Sequence, residues 1–290
     1  MAEQQTTRRP PEVFDTPEPV RLRVEVPAGR VEVRAEPVSR TTIQVLPHSE
    51  RREPDRRAAE RTTVVKHGNG IHVEAPRQRA ELRNGAIRVL VSVPVGSGLD
   101  GSVASADLDA TGELGAGTVK TASGEVRLEK VGAFSLRTAS GDIAVDHVTG
   151  DLEVNGASGD IRVGQVDGEA RVGTASGDIT LGAVQGELRS TTASGDTRVR
   201  AVARSATVST TSGDVELERV GSGTVETKAV SGDVTIGVPS GVAAWLQLRS
   251  ISGDVRTRLE STDAPEEGES TVRIIANAVS GDITIRRAGG

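Results

Sequence analysis

The chain has 290 residues, of which 35% are hydrophobic and 26% charged, and its net charge is −6. It contains no cysteine, which excludes disulfides, thiolate metal sites and thiol catalysis. Aromatic residues make up only 1% of it, as Phe14, Phe134 and Trp245, so its core must be aliphatic and it has no sugar-stacking platform of the kind polymer-acting β-helix enzymes use.

Met1–Pro11 is polar, with Arg8 and Arg9 but no apolar run behind them. It reads as neither a signal peptide nor an anchor, and residues 1–12 are expected to form a disordered tail. No window is apolar enough for a membrane helix. The expected compartment is the cytoplasm, with the cell surface, reached by an unrecognised route, as the alternative.

Residues 13–98 read as an N-terminal β cap. Val20-x-Leu22-x-Val24-x-Val26 alternates, and Val31-x-Val33, Ile43-x-Val45, Ile71-x-Val73 and Ile87-x-Val89-x-Val91-x-Val93 follow. Pro27, Pro47, Pro76 and Pro94 punctuate them. Asp55–Arg61 predicts a short helix, whose arginines face either solvent or an anionic partner.

From residue 99 to 290 the sequence repeats. Ser-Gly-acid recurs at Ser123, Ser140, Ser158, Ser176, Ser194, Ser212, Ser231, Ser252 and Ser280. The interval is close to eighteen residues, stretching after Ser231. Each period divides into two units of nine, reading apolar-x-apolar-x-x-small-x-Gly-acid. Apolar-x-apolar is a short strand with one inward face, and glycine supplies the positive φ of a tight turn. Strands of three residues do not survive alone, whereas stacked parallel they bury a continuous column. The pattern therefore predicts an all-β fold: a parallel β-solenoid of two facing sheets, about eighteen residues per coil, right-handed by crossover chirality. About ten coils would give a rod of roughly 50 Å.

Three inward rows are expected. One is Val126, Ile143, Ile161, Ile179, Val215, Val234, Val255 and Ile283; another is Leu128, Val145, Val163, Leu181, Val199, Leu217, Ile236 and Ile285. The third is Ala122, Ala139, Ala157, Ala175, Ala193, Thr211, Val230, Ile251 and Val279, which widens toward the C-terminus. Alternation in Ala244–Leu248 turns Trp245 outward. The insertion at 258–271 is expected to fold over it as a C-terminal cap; the alternative is that Trp245 is an interaction hot spot.

The acids of the repeat, among them Asp142, Asp160, Asp178, Asp196, Asp214 and Asp233, should stack along one edge. Neighbours about 5 Å apart repel by around 0.8 kcal/mol even in water. Turn hydrogen bonds offset this in the first reading. In the sharper one the row binds calcium, although the paired glycines of calcium-binding nine-residue repeats are missing. His48, His67, His72 and His147 show no metal-ligand spacing beyond a possible His67–His72 pair. No nucleophile elbow, phosphate loop or dinucleotide fingerprint occurs, so no catalytic residue, cofactor or small-molecule ligand is expected. Residues 101–290 hold 27 acidic against 18 basic side chains, which argues against nucleic acid.

The opening Phe14-Asp15-Thr16-Pro17-Glu18-Pro19, the run Val24-Glu25-Val26-Pro27-Ala28-Gly29, the serial Thr-Ala-Ser-Gly-Asp units, Ala243-Ala244-Trp245-Leu246 and the closing Gly281–Arg287 together carry a resemblance. They resemble the actinobacterial β-strand-repeat domain of unknown function catalogued under the name "putative adhesin". The resemblance covers nearly the whole chain and implies no catalytic residues. The function expected is a non-enzymatic scaffold or protein-interaction protein, self-association included. An adhesin is the alternative, and an enzyme acting on a polymer the third reading.

Overall fold

The computed structural model describes residues 10–76, 85–260 and 270–289. Their regular elements are strands apart from the helix Glu53–Arg61, and the chain divides into two compact units after Gly132. The fold is all-β and the repeat is a parallel β-solenoid, as its periodicity requires.

In the N-terminal unit, the sixteen-residue strand Arg21–Glu36 runs parallel to Gly98–Glu113, with Leu22 opposite Leu99 and Val31 opposite Leu108. On its other side the same strand pairs parallel with Gly70–Glu74 and with Ile87–Pro94. Antiparallel strands finish the unit: Thr63–His67 on Gly70–Glu74, Arg40–Pro47 on Ile87–Pro94, and Glu12–Asp15 on Arg40–Pro47. Residues 1–9 of the expected tail lie outside the described residues. The helix packs on Arg40–Pro47. Its Asp55 is fully buried and accepts backbone N–H bonds from Ser49 and Ala86, both at 3.0 Å.

In the C-terminal unit two parallel ladders alternate along the chain. One joins Phe134–Thr138, Leu152–Ser158, Ala170–Ser176, Leu188–Ser194, Ala206–Ser212 and Gly223–Ser231. The other joins Ile143–Val148, Ile161–Val166, Ile179–Val184, Thr197–Val202, Val215–Leu217 and Val234–Val238. Pairing runs residue for residue at the repeat interval, with Ile143 opposite Ile161 and Ile161 opposite Ile179. The row from Leu128 to Ile285 is buried throughout. The row from Val126 to Ile283 is buried except at Val255, which is 47% exposed.

The third row is a correction: all nine of its members are exposed. The two nine-residue halves of a coil, alike in sequence, differ in pleat. In Ile143–Val148 the alternation breaks, and Ile143, Val145 and Val148 all point inward. In Ala170–Ser176 it holds through Thr174, so Ala175 and Ser176 both face out. With Ala170, Val172 and Thr174 inside, unbroken alternation puts Ala175 outside. The inward third position is thus Thr138, Thr174, Thr192, Thr210, Ala229 and Ala278.

The last coils are also out of chain order. Gly223–Ser231 pairs with Ser270–Ser280, which pairs on its far side with Val242–Ser252. Likewise Val234–Val238 pairs with Ile283–Arg287, and that with Val255–Thr257. The chain steps out past one coil position, then returns to fill it. Two coils are about 10 Å, within reach of the three residues Pro239–Gly241. This accounts for the stretched spacing after Ser231. Of the expected cap at 258–271, residues 261–269 lie outside the described residues.

Glycine serves two purposes in the turns. Gly177 has φ +126°, and a Cβ there would stand 2.2 Å from the Gly159 carbonyl oxygen. Gly186, in the other half-coil, lacks the positive φ expected of it. It is required by close approach instead, since a Cβ would lie 2.3 Å from the Gly168 oxygen.

Candidate interaction surface

Two arrays of side chains stand out on the C-terminal unit. The first is the acid edge. The Asp160 N–H donates to Asp142 Oδ1 at 2.9 Å, Asp178 to Asp160 at 3.1 Å, Asp196 to Asp178 at 2.9 Å and Asp214 to Asp196 at 2.9 Å. Asp233 donates to Asp214 and Asp282 to Asp233, both at 2.8 Å, and Asp254 to Asp282 at 2.9 Å. Each carboxylate therefore caps the amide of the next coil. The acceptor is always aspartate, because the longer glutamate would overshoot an amide one strand spacing away. A hydrogen bond to a charged group contributes about 1.5–3 kcal/mol, more than the repulsion between neighbours. Where arginine stands two residues on, it pairs with the second oxygen, as in Asp160–Arg162 and Asp196–Arg198, both at 2.7 Å.

Among the described residues no group of three or more His, Cys, Asp or Glu is placed to hold a metal. His67 and His72 sit in the antiparallel pair Thr63–His67 and Gly70–Glu74, and His72 Nε2 lies 3.4 Å from Glu25. An open groove of about 640 Å³ runs past Asp151, Asp167, Glu169 and Glu187. Each of these carboxylates has its own partner. Asp151 caps the Glu169 amide at 2.9 Å, and Asp167 meets His147 at 2.8 Å. Glu169 pairs with Arg171 at 2.5 Å and Glu187 with Arg189 at 3.6 Å. On the helix, Arg57 pairs with Glu53, and Arg56 donates to the Glu50 carbonyl at 2.7 Å.

The second array is apolar and faces solvent. Register places Val230, Val279 and Ile251 side by side on three successive coils, at 50%, 45% and 75% exposure. They continue the outward run of Ala157, Ala175, Ala193 and Thr211. Trp245 lies on the same face of its strand as Ile251, is 53% exposed, and has the Arg273 guanidinium carbon 4.3 Å above its ring centre. The stripe was hidden from the sequence reading because its residues were placed inside. The signal that finds it is pleat parity: each member stands one position past an inward residue.

A family model described as Toastrack DUF4097 matches residues 25–286. No functionally curated protein matches the chain. Among solved structures, the chain is similar to a "putative lipid binding protein" from Parabacteroides distasonis, at 12% identity over 97% of each chain with a TM-score of 0.43. It is similar to a "putative adhesin" from Parabacteroides merdae, at 14% identity over 79% of this chain and 96% of that one, with a TM-score of 0.41. A "putative adhesin" from Bacteroides fragilis aligns at 11% identity over 95% of each chain, with a TM-score of 0.34. No helix among the described residues is long and apolar enough to cross a membrane. The extent of the family match and the coiled β architecture agree, and the chain belongs to the Toastrack DUF4097 family, whose function is uncharacterised.

Proposed function

We propose that this protein is a non-enzymatic scaffold that works by binding other proteins through the stripe formed by Val230, Val279 and Ile251. The carrying observation is that these three side chains stay exposed on adjacent coils, although the same pleat buries their immediate neighbours Ala229 and Ala278. Adjacent exposed aliphatics of this kind characterise protein-binding surfaces. The carboxylates that a hydrolase would use are instead engaged by backbone amides and arginines. Those same bonds give each aspartate of the edge a protein partner, which supports the reading without calcium. An adhesive role at the cell surface is the second reading and differs in compartment; fractionation of the source organism separates it from the cytoplasmic one.

The test is capture from native lysate with the intact chain and with an Ile251→Lys, Val279→Lys double variant. Partners held by the natural chain are expected to be lost from the variant, with its circular dichroism and melting unchanged. Equal capture by both would remove the stripe from the function.

A further inference from the structure

The strand Val242–Ser252 is the outermost of its ladder. It pairs with Ser270–Ser280 on one side, and no described strand covers the other. Its inward residues Ala244, Leu246 and Leu248 are only half-buried, whereas Val272, Ile274 and Ala276 on the adjoining strand are 1%, 0% and 0% exposed. On the opposite sheet Val255 is likewise open while Ile283 beneath it is fully buried. Among the described residues, the last coil therefore presents both a row of core side chains and an unpaired backbone edge. Eleven residues long, with no proline, no acid and Arg249 as its one charge, this edge lacks the usual protections against pairing.

We propose that Val242–Ser252 is a docking edge for a second copy of this chain, the two strands pairing antiparallel about Gln247 across a two-fold axis. The sequence is complementary to itself in that register. Leu246 meets Leu248 of the partner subunit on the inward face, extending the aliphatic column. On the outward face Trp245 meets the partner's Arg249, a cation for the ring face opposite the one that Arg273 covers, and Ala243 meets the partner's Ile251. The strand has no acid opposite Arg249, so the register that gives each arginine a Trp is also the one that keeps the two arginines apart. A two-fold contact of this kind closes on itself and yields a dimer. The competing occupant is this chain's own 261–269, which is acidic and offers nothing larger than Pro265 to an aliphatic row.

This inference goes beyond the scaffold reading; Ile251 belongs to both surfaces, but Val279 and Val230 lie one and two strands back from the edge, so a Val230→Lys, Val279→Lys variant that loses partners and still dimerises separates the two. Sedimentation velocity of the full chain across a hundredfold concentration range tests it. A dimer is expected, with the emission of Trp245, the sole tryptophan, shifting to the blue as dimer forms. Trp245→Arg places like charges across the axis and should weaken the dimer at least tenfold. Adding Arg249→Glu to it sets opposite charges face to face and should restore association. A natural chain that is monomeric at every concentration overturns the proposal; if its tryptophan is then also shielded from quencher, the edge is covered within the chain. A dimer indifferent to Trp245→Arg, or one that the second substitution does not restore, assigns pairing to another surface or register and equally overturns it. Should Trp245→Arg fail to fold, the concentration dependence of the natural chain's mass and emission decides.

Discussion

In the N-terminal unit the outermost strands are Glu12–Asp15, four residues with an acid at each end, and Thr63–His67, five residues carrying Lys66 and His67. In the C-terminal unit the outermost strand Val242–Ser252 has eleven residues and one charge. Short, charged, antiparallel strands discourage further pairing, while a long apolar one invites it. The difference reaches inward as well. Val24 and Val73 behind the N-terminal strands are fully buried, whereas Leu246 and Val255 of the last C-terminal coil remain partly open. One unit closes its hydrophobic column with antiparallel strands and a helix; in the other, no described strand covers the last coil. The same repeat chemistry thus buries its side chains in the middle of the stack and leaves them partly exposed at its end.

Substitutions can sharpen or break this contrast. The largest effect is expected at Gly177→Ala in the middle of the stack. Both a left-handed backbone and a carbonyl 2.2 Å from the new Cβ oppose it, at a cost above about 3 kcal/mol in denaturant melts. A paired comparison comes next. Val163→Gly should cost about 2–4 kcal/mol, since its side chain is 4% exposed, and Val255→Gly below about 1 kcal/mol, because that side chain is already half in water. Equal losses at the two would mean that the terminal coil is covered in solution. At the N-terminal end, Asp55→Ala leaves the Ser49 and Ala86 amides without their acceptor. The melt should fall by about 2–3 kcal/mol, and a smaller loss would mean the helix contributes little to closing that unit.

A gain is expected at Thr197→Val. Thr197 interrupts the valine and isoleucine row, is fully buried, and its Oγ1 has no hydrogen-bond partner among the described residues, so removing the hydroxyl should stabilise by about 1 kcal/mol. The smallest effect, none at all, is expected from millimolar calcium or EDTA on the melting temperature. The Asp142-to-Asp254 ladder is satisfied by amides, and a calcium-dependent shift would show that cations supplement it.

Much of the molecule was legible before any coordinates. The interval of eighteen gave the coils and their parallel stacking, because identical neighbours in register require a whole number of coils between them. The rows through Ile161 and Val163 follow from apolar-x-apolar, since alternate side chains of a strand share a face. What misled was the resemblance between the two nine-residue halves. Val148 and Ala157 occupy the same place in the written repeat, yet one is inside and the other outside. Whether the pleat breaks before that position is decided by how the chain turns the corner, which nine letters do not record. The exposed stripe of Val230, Val279 and Ile251 was therefore misplaced, and its larger side chains enlarge the outer face rather than the buried column.

By itself the sequence determined the period, the aliphatic core, the glycine turns and the ladder of aspartates, all of which depend on a residue and its copy one coil away. Tertiary structure alone decided the interchange of the last two coils, the face on which the third row lies and the open edge at Val242–Ser252. Those depend on which strands meet when the repeat loses its regular spacing. There, three residues after Val238 and a longer insertion after Thr257 permit more than one stacking order, and only packing selects among them.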